Sequence, residues 1–138
     1  MFLLDTNLVS ELRKVRIGKA NPGVATWAGQ VDAHNLFISV ITLEEIEIGI
    51  LLAERRDPAK GAIFRHWMSH QVLPVFSKRT LAVDTPVALR CAQLHVPDVR
   101  PERDALIAAT ALVHGLTVVT RNTPDFAGTG VRCLNPWS

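Results

Sequence analysis

The chain has 138 residues, of which 48% are hydrophobic and 20% are charged, an ordinary globular composition that suits one domain over residues 1–138. No apolar run approaches the roughly 18–20 residues that cross a membrane, and the N-terminus lacks the basic region and cleavage site of a secretory signal. The two cysteines, Cys91 and Cys133, are too few for a disulfide framework and form no Cys/His motif typical of zinc. We therefore expect a cytoplasmic protein with no membrane contact.

The net charge of +2 is too small to indicate a nucleic-acid partner by itself. The positions of the cations are more informative, because they fall into two groups: Arg13, Lys14, Arg16 and Lys19, and then Arg55, Arg56, Lys60 and Arg65. Two solvated helix ends would explain both groups. A rim that faces the phosphates of a nucleic acid is the alternative.

Short apolar runs alternate with helix start signals along the whole chain. In chain order the sequence predicts a strand at 2–4 (FLL), a helix over 7–14, a helix from Pro22, a strand at 36–40 (LFISV), a helix from Thr42 to about Glu54, a helix from Pro58, a strand at 80–83 (TLAV), a helix from Thr85 to about His95, a helix from Pro101 to Gly115, and strands at 116–120 (LTVVT) and 131–134 (VRCL).

The helix starts depend on capping residues. Thr6 or Asn7 lies near the cap of the first helix, and Asn21 caps the second, with proline at its first position. Thr42 and Glu45 match a capping box, which places the start of the third helix at Thr42. The alternation of strands and helices predicts an α/β domain with a mostly parallel sheet covered on both faces.

Acidic residues follow the ends of the predicted strands. Asp5 comes directly after the first strand, Glu45 and Asp104 lie in first turns of helices, and Asn122 and Asp125 follow strand 116–120. Sites in parallel sheets form beyond the carboxyl ends of the strands. We therefore expect these groups to meet at one edge of the sheet, although they are far apart in sequence.

Each acid also has an ordinary structural explanation. Asp5 could cap a helix, Glu45 could be the capping-box partner of Thr42 while Glu44 and Glu47 face solvent, Asp104 suits the helix macrodipole, and Asp125 could be a turn residue. No single position decides the question. The hypothesis of a shared site depends on their joint placement.

Converging carboxylates have an energetic consequence. Two like charges about 4 Å apart repel by roughly 4 kcal/mol at an effective dielectric near 20. Such a cluster raises its own pKa values or binds a cation. Oxygen ligands without histidine or cysteine favour Mg²⁺ or Mn²⁺, and a metal-bound water can attack a phosphodiester. Metal-dependent hydrolysis of a nucleic acid is therefore the chemistry that this edge predicts.

Other motifs point elsewhere only weakly. His66 and His70 have the i, i+4 spacing of a metal-binding pair, but packing is the simpler explanation. The three tryptophans, Trp27, Trp67 and Trp137, are expected in the core or in an interface. The sequence has no P-loop, GxGxxG or GxSxG motif.

Three blocks of the sequence, LLDTNLVSEL, SVITLEEIEIG and DALIAATALVHGLTVVTRNTPDFAGTGVRCLNPW, resemble the PIN-domain family, and within it the VapC- and FitB-like toxins of bacterial type II toxin–antitoxin pairs. The resemblance spans nearly the whole chain, although the stretch from about Pro58 to Arg100 carries little signature. It implies a three-layer α/β/α sandwich with about five strands and a Mg²⁺-dependent ribonuclease in which Mn²⁺ substitutes for Mg²⁺.

The resemblance also implies roles for individual residues. The metal ligands would be Asp5, Asp104 and Glu45. A weaker fourth position falls on Asn122 or Asp125, and we take Asp125 as the expected ligand. Thr6, Asn7, Ser39, Thr120 and Asn122 would support them. The implied partners are an RNA substrate, a small antitoxin through which promoter DNA is bound, and a second copy of the chain in a homodimer.

Two other classes of function are weighed against an endoribonuclease toxin. A haloacid-dehalogenase phosphatase needs a DxDxT motif, but the third position here is Asn7, and a response-regulator receiver needs an acidic pair and a lysine that this chain lacks. A PIN-like module that binds nucleic acid or a partner without catalysis is the other alternative. The intact acidic positions favour catalysis.

Overall fold

A parallel sheet of five strands organises the protein, as shown by a computed structural model that describes residues 1–138. The strand order is β3-β2-β1-β4-β5, and every neighbouring pair is parallel. The strands are β1 (Phe2–Leu4), β2 (Leu36–Ser39), β3 (Thr80–Leu81), β4 (Thr117–Val119) and β5 (Cys133–Leu134). The predicted α/β fold with a mostly parallel sheet of about five strands is confirmed.

Helices connect the strands and cover both faces of the sheet. They are α1 (Thr6–Arg13), α2 (Pro22–Gln30), α3 (Val40–Arg56), α4 (Pro58–Trp67), the short α5 (Leu73–Val75), α6 (Thr85–Leu94) and α7 (Glu102–His114). A π-helical turn over Met68–Val72 links α4 to α5, and 3-10 turns lie at Ala33–Asn35 and Thr123–Phe126. None of the helices has both the length and the apolar character needed to cross a membrane.

Two hydrophobic cores form because successive strand residues point to opposite faces of a sheet. Leu3 and Val118 pack on the side of α6 and α7, whereas Leu4 and Val119 pack on the side of α1 to α4. Trp67 is buried in the second core, and Trp27 and Trp137 pack against it. This division produces the three-layer α/β/α arrangement.

Most of the helix boundaries follow the local signals in the sequence. The Asn21 side chain accepts hydrogen bonds from the backbone N–H groups of Gly23 and Val24 at the start of α2. Gly115 ends α7 in the left-handed conformation, with φ of 67°, where a residue without Cβ is favoured.

Two helix caps differ from the sequence-based prediction. Ser39 caps α3, because its Oγ accepts from Ile41 N–H at 3.0 Å and the helix begins at Val40. Thr42 therefore lies inside the first turn, where its buried hydroxyl has no hydrogen-bond partner. The capping box was wrong because β2 runs directly into α3 and leaves no linker before Thr42. Similarly, α1 is capped by Asp5, one residue earlier than expected.

Candidate active site

Asp5 lies where β1 ends and α1 begins, and it is 7% exposed. Its Oδ1 accepts from Thr6 N–H at 2.8 Å, and its Oδ2 accepts from the Thr120 hydroxyl at 2.7 Å. Burial raises the pKa of Asp5, the two hydrogen bonds oppose this, and the charge of Asp125 adds to the rise. Thr120 follows β4, the neighbour of β1, so the parallel pairing places this donor beside Asp5.

Glu45 reaches the same edge from α3. Its Oε1 accepts from the Thr6 hydroxyl at 2.7 Å, and its Oε2 lies 3.8 Å from a guanidinium nitrogen of Arg103. Ser39 fixes the start of α3 and thereby the direction in which Glu45 projects. Thr6 thus joins the first acid to the second, since its backbone N–H contacts Asp5 and its hydroxyl contacts Glu45.

Asp104 lies in the first turn of α7, which has no side-chain hydrogen bond at its cap. Burial raises the pKa of Asp104 to about 6, and the charges of Asp125, Asp5 and Glu45 add to the effect in that order. No hydrogen-bond donor lowers it. Asp104 is therefore a half-buried carboxylate, and the charged groups that act on its pKa are other carboxylates.

The sequence leaves the fourth position of the site open between Asn122 and Asp125. Asp125 lies in the 3-10 turn after β4, and its charge raises the pKa values of both Asp5 and Asp104. Asn122 is exposed at the start of that turn, where its backbone N–H donates to the Thr120 hydroxyl at 3.0 Å. Asp125 is thus the electrostatic neighbour of the acids, whereas the backbone of Asn122 orients Thr120. Asn7 is exposed in the first turn of α1.

The two glutamates that compete with Glu45 lie outside the cluster. Glu44 is exposed to solvent. Glu47 pairs with Arg65 at 2.6 Å across the α3–α4 hairpin, and the hydrogen bond from Arg65 lowers the pKa of Glu47. Arg65 also contacts Glu54 at 3.1 Å, so this cation holds the hairpin together.

The donor chemistry of the acidic cluster fits a hard divalent cation. All its donors are oxygens, and Asp104 lacks any protein donor to stabilise its charge. No three of the four carboxylates have oxygens within 4.8 Å of one another, the spacing that a closed cage of protein ligands would need. Mg²⁺ usually keeps several waters and takes one or two carboxylates, and this open arrangement suits that habit.

A second cluster, which the sequence analysis missed, joins α6 to the start of α7. Cys91, His95 and Glu102 bring their donor atoms within 4.8 Å of one another. The Nδ1 of His95 accepts from Arg100 N–H at 3.0 Å, so its Nε2 carries the proton and donates to Glu102 at 2.8 Å. A histidine that binds metal normally donates from its other nitrogen, and here that nitrogen is an acceptor. The i, i+4 spacing of Cys91 and His95 was the available signal.

The i, i+4 spacing of His66 and His70 brings their two rings together at the surface. Their rings stack with centroids 4.0 Å apart, and a ring nitrogen of His70 lies 3.0 Å from the carbonyl oxygen of His66. Both side chains are exposed, and no third donor joins them. The pair therefore lies on the surface where α4 continues into the π-helical turn.

A sequence profile described as the PIN domain matches residues 2–130. The chain belongs to the PIN-domain family.

Similar proteins and solved structures show which members of the PIN-domain family this chain resembles. It is 34% identical to Toxin FitB of Neisseria gonorrhoeae over 99% of each chain, and 34% identical to VapC ribonuclease Y4jK of Sinorhizobium fredii over 99% of this chain and 98% of that protein. The crystal structure of FitAcB from Neisseria gonorrhoeae matches with a TM-score of 0.86 and 34% identity over 99% of each chain. A structure of FitAB bound to an IR36 DNA fragment matches with a TM-score of 0.86 and 33% identity, over 100% of this chain and 96% of that one. The resemblance to VapC- and FitB-like PIN domains is confirmed.

Proposed function

We propose that this PIN domain is a metal-dependent endoribonuclease that acts as the toxin of a type II toxin–antitoxin pair. The observation that supports the proposal is the clustering of Asp5, Glu45, Asp104 and Asp125 at the carboxyl edge of the sheet. Burial raises the pKa of Asp104 to about 6 there, and the charges of the other three acids add to the rise. The names of the relatives, a VapC ribonuclease and Toxin FitB, support the choice of RNA and the role of toxin.

Mg²⁺ is the expected ion, and Mn²⁺ is expected to replace it. Asp5 and Asp104 would hold it most directly, with Glu45 and Asp125 completing the acidic shell. When bound, such an ion lowers the pKa of a water molecule and neutralises charge on the phosphodiester. Hard oxygen donors and the absence of a histidine or thiol in the cluster favour these ions over zinc.

The side chains of the protein contribute orientation. The Thr120 hydroxyl and Thr6 N–H hold the two oxygens of Asp5 in fixed directions. The Thr6 hydroxyl fixes one oxygen of Glu45, and we assign to the other oxygen the positioning of the attacking water. In-line attack of that water on the phosphorus would form a new P–O bond and break the bond to the 3′ oxygen, which leaves as a 3′-hydroxyl, so that the other product carries a 5′-phosphate, as the family resemblance implies.

The proposed partners follow from the neighbouring structures. FitAcB and FitAB are complexes, and FitAB is bound to a DNA fragment. We extend this arrangement to the present chain: a small antitoxin protein covers it, promoter DNA is bound through the antitoxin, and two copies of the PIN domain form a homodimer in the cytoplasm. Co-purification with the product of the neighbouring gene tests the antitoxin.

The activity is tested by incubating purified protein with an RNA pool in Mg²⁺ or Mn²⁺, with and without EDTA. We expect cleavage that EDTA stops and that Asp5→Ala reduces by at least about a hundredfold, since changes behind a metal ligand already cost 10–100-fold. Asp84→Ala is the matched control, because Asp84 caps α6 and its charge does not act on Asp5 or Asp104.

Equal cleavage by wild type and Asp5→Ala would refute the assignment. RNA binding with no metal-dependent turnover on any RNA would replace it with the alternative of a non-catalytic PIN-like module that binds nucleic acid or a partner.

A further inference from the structure

A groove leads away from the acidic cluster between α1 and the α3–α4 hairpin. It begins in a cavity of about 240 Å³ whose lining includes Thr6 and Glu45 at one end and Gly49 and Phe64 at the other. A second cavity of about 400 Å³ is also lined by Gly49 and Phe64. The two cavities are therefore neighbours on either side of these two residues, and we call them together the α1–α3 groove.

The α1–α3 groove is rich in positive charge. Arg13 and Lys14 line its first part, and Arg56 and Lys60 line its second part. These residues come from the two cationic groups of the sequence, which the fold brings into the two neighbouring parts of this groove. The acids that line it are Glu45 at the reactive end and Asp57 at the far end. A channel of this charge suits a polyanionic chain, since phosphates bind to clustered Lys and Arg.

The same groove offers a surface for a flat ring. The Arg13 guanidinium carbon lies 4.9 Å from the centre of the Phe64 ring, and the Lys60 ammonium lies 5.8 Å from it. Unpaired RNA bases stack on aromatic rings and on guanidinium planes. Arg13 and Phe64 thus lie together in the groove as two groups on which a base can stack, and the charge of Arg13 can attract the adjacent phosphate.

Gly49 lies where the two cavities adjoin, and packing within the fold does not explain why this residue is a glycine. Glycine weakens the middle of a helix, so a packing or functional reason is expected. At Gly61 packing supplies it, because an added Cβ would lie 2.5 Å from Glu54 Cα. At Gly49 an added Cβ would meet no atom within 4 Å. The missing side chain keeps the junction of the two cavities open.

We propose that the α1–α3 groove holds single-stranded RNA next to the scissile phosphate, with one base seated between Gly49 and Arg13. This inference rests on the proposed function, because it assigns the groove to the substrate of the acidic site. It makes Gly49 and Arg13 determinants of which RNA positions are cleaved.

The test fills the groove without changing its charge. Gly49→Leu is made in an Asp104→Asn background, so that RNA stays intact, and binding of a fluorescein-labelled single-stranded RNA of mixed sequence is followed by anisotropy. We expect binding about fivefold weaker or more, because stacking of one base contributes at least roughly that factor. Gly29→Leu is the matched control, since Gly29 lies in helix α2 and an added Cβ there also meets nothing.

A second variant separates charge from shape. Arg13→Ala should lower the slope of log Kd against log salt by about one, as expected for the loss of one phosphate contact. Gly49→Leu should leave that slope unchanged while shifting the cleavage sites in an otherwise wild-type chain. Thermal melting of all variants establishes that each one folds.

The outcomes distinguish this inference from the proposed function. If the wild type cleaves RNA but Gly49→Leu binds it as tightly as Gly29→Leu, only the groove assignment fails. If Gly49→Leu loses its co-purifying protein partner and keeps RNA binding, the groove belongs to that partner and the assignment is overturned. If the wild type does not cleave RNA in Mg²⁺ or Mn²⁺, the proposed function itself fails.

Discussion

At the scale of single residues, the site depends on hydroxyl groups as much as on carboxylates. Thr120 and Thr6 each donate a 2.7 Å hydrogen bond to an acid. These bonds keep Asp5 and Glu45 aimed at the cluster despite the repulsion of the other charges. Hydrogen bonds to charged acceptors are stronger than neutral ones, contributing about 1.5–3 kcal/mol each.

Thr120→Val should therefore impair the site without unfolding the protein. The valine keeps the shape of the buried side chain but removes the donor to Asp5 Oδ2, so the pKa of Asp5 should rise further and its direction should loosen. We expect RNA cleavage to fall about tenfold to a hundredfold, in line with changes behind a metal ligand. The rate and the affinity for Mn²⁺ are the quantities to measure.

Thr110→Val is the control for that variant, because Thr110 is also buried and donates only to the Leu106 carbonyl within α7. If both variants lose cleavage equally, the effect comes from general loss of packing and Thr120 has no specific part.

The sequence predicts that acids gather at one edge of the sheet, but it does not show which of several neighbouring glutamates lies there. Asp5 and Asp104 could be predicted to lie at one edge because strand ends and helix starts meet there in a parallel sheet. Local sequence left Glu44, Glu45 and Glu47 open, and the family resemblance chose among them. The contact of Glu45 with Thr6 depends on how α3 lies against α1. No local pattern in the sequence encodes that packing.

At the scale of helices and strands, the start of α3 differs from the prediction, which placed it at Thr42. Ser39 caps the helix and Thr42 does not. A serine followed by a threonine three positions later offers two candidate caps, and only the end of β2 decides between them. The Asn21 cap and the Gly115 terminus carried no such ambiguity.

A pair of substitutions tests this assignment. Ser39→Ala should lower the free energy of unfolding by about 1 kcal/mol, the usual cost of a lost N-cap. Thr42→Val should leave it unchanged or raise it, because it removes a buried hydroxyl that has no partner. Urea denaturation of both variants provides the measurement. A larger loss in Thr42→Val than in Ser39→Ala would restore the capping box.

The α3–α4 hairpin could also not be foreseen in detail. The pairing of Arg65 with Glu47 and Glu54 joins residues 18 and 11 positions apart. It depends on the close approach of the two helices at Gly61. The two cationic groups were visible in the sequence, but their assembly into one groove follows only from this hairpin and its distance from α1.

At the scale of the whole molecule, the acidic cluster reduces the stability of the metal-free protein. The pKa of Asp104 is raised from 3.8 to about 6, so between these values the folded protein binds more protons than the unfolded chain. The free energy of unfolding therefore falls as pH rises through this window. Asp5, whose pKa is also raised, acts in the same direction. Glu11 and Glu47, whose pKa values are lowered from 4.5, act in the opposite direction: they stabilise the folded protein above that pH, and their contribution is lost only at more acidic pH.

Melting curves in EDTA test this linkage. The melting temperature of the wild type should fall between pH 5 and pH 7.5, and Asp104→Asn should show a smaller fall and be at least as stable at pH 7.5. Adding Mn²⁺ at 100 times its Kd should restore about 2.7 kcal/mol to the wild type and much less to the variant. A clear loss of stability in metal-free Asp104→Asn would show that Asp104 serves mainly the dipole of α7.

The central claim is that acids distant in sequence share one divalent cation, and anomalous diffraction from a crystal soaked in Mn²⁺ tests it most directly. We predict a peak within about 2–2.5 Å of a carboxylate oxygen of both Asp5 and Asp104, the distance range of divalent cations bound to oxygen. Soaked crystals without a peak at the acids, or with manganese only beside Cys91 and His95, would contradict it.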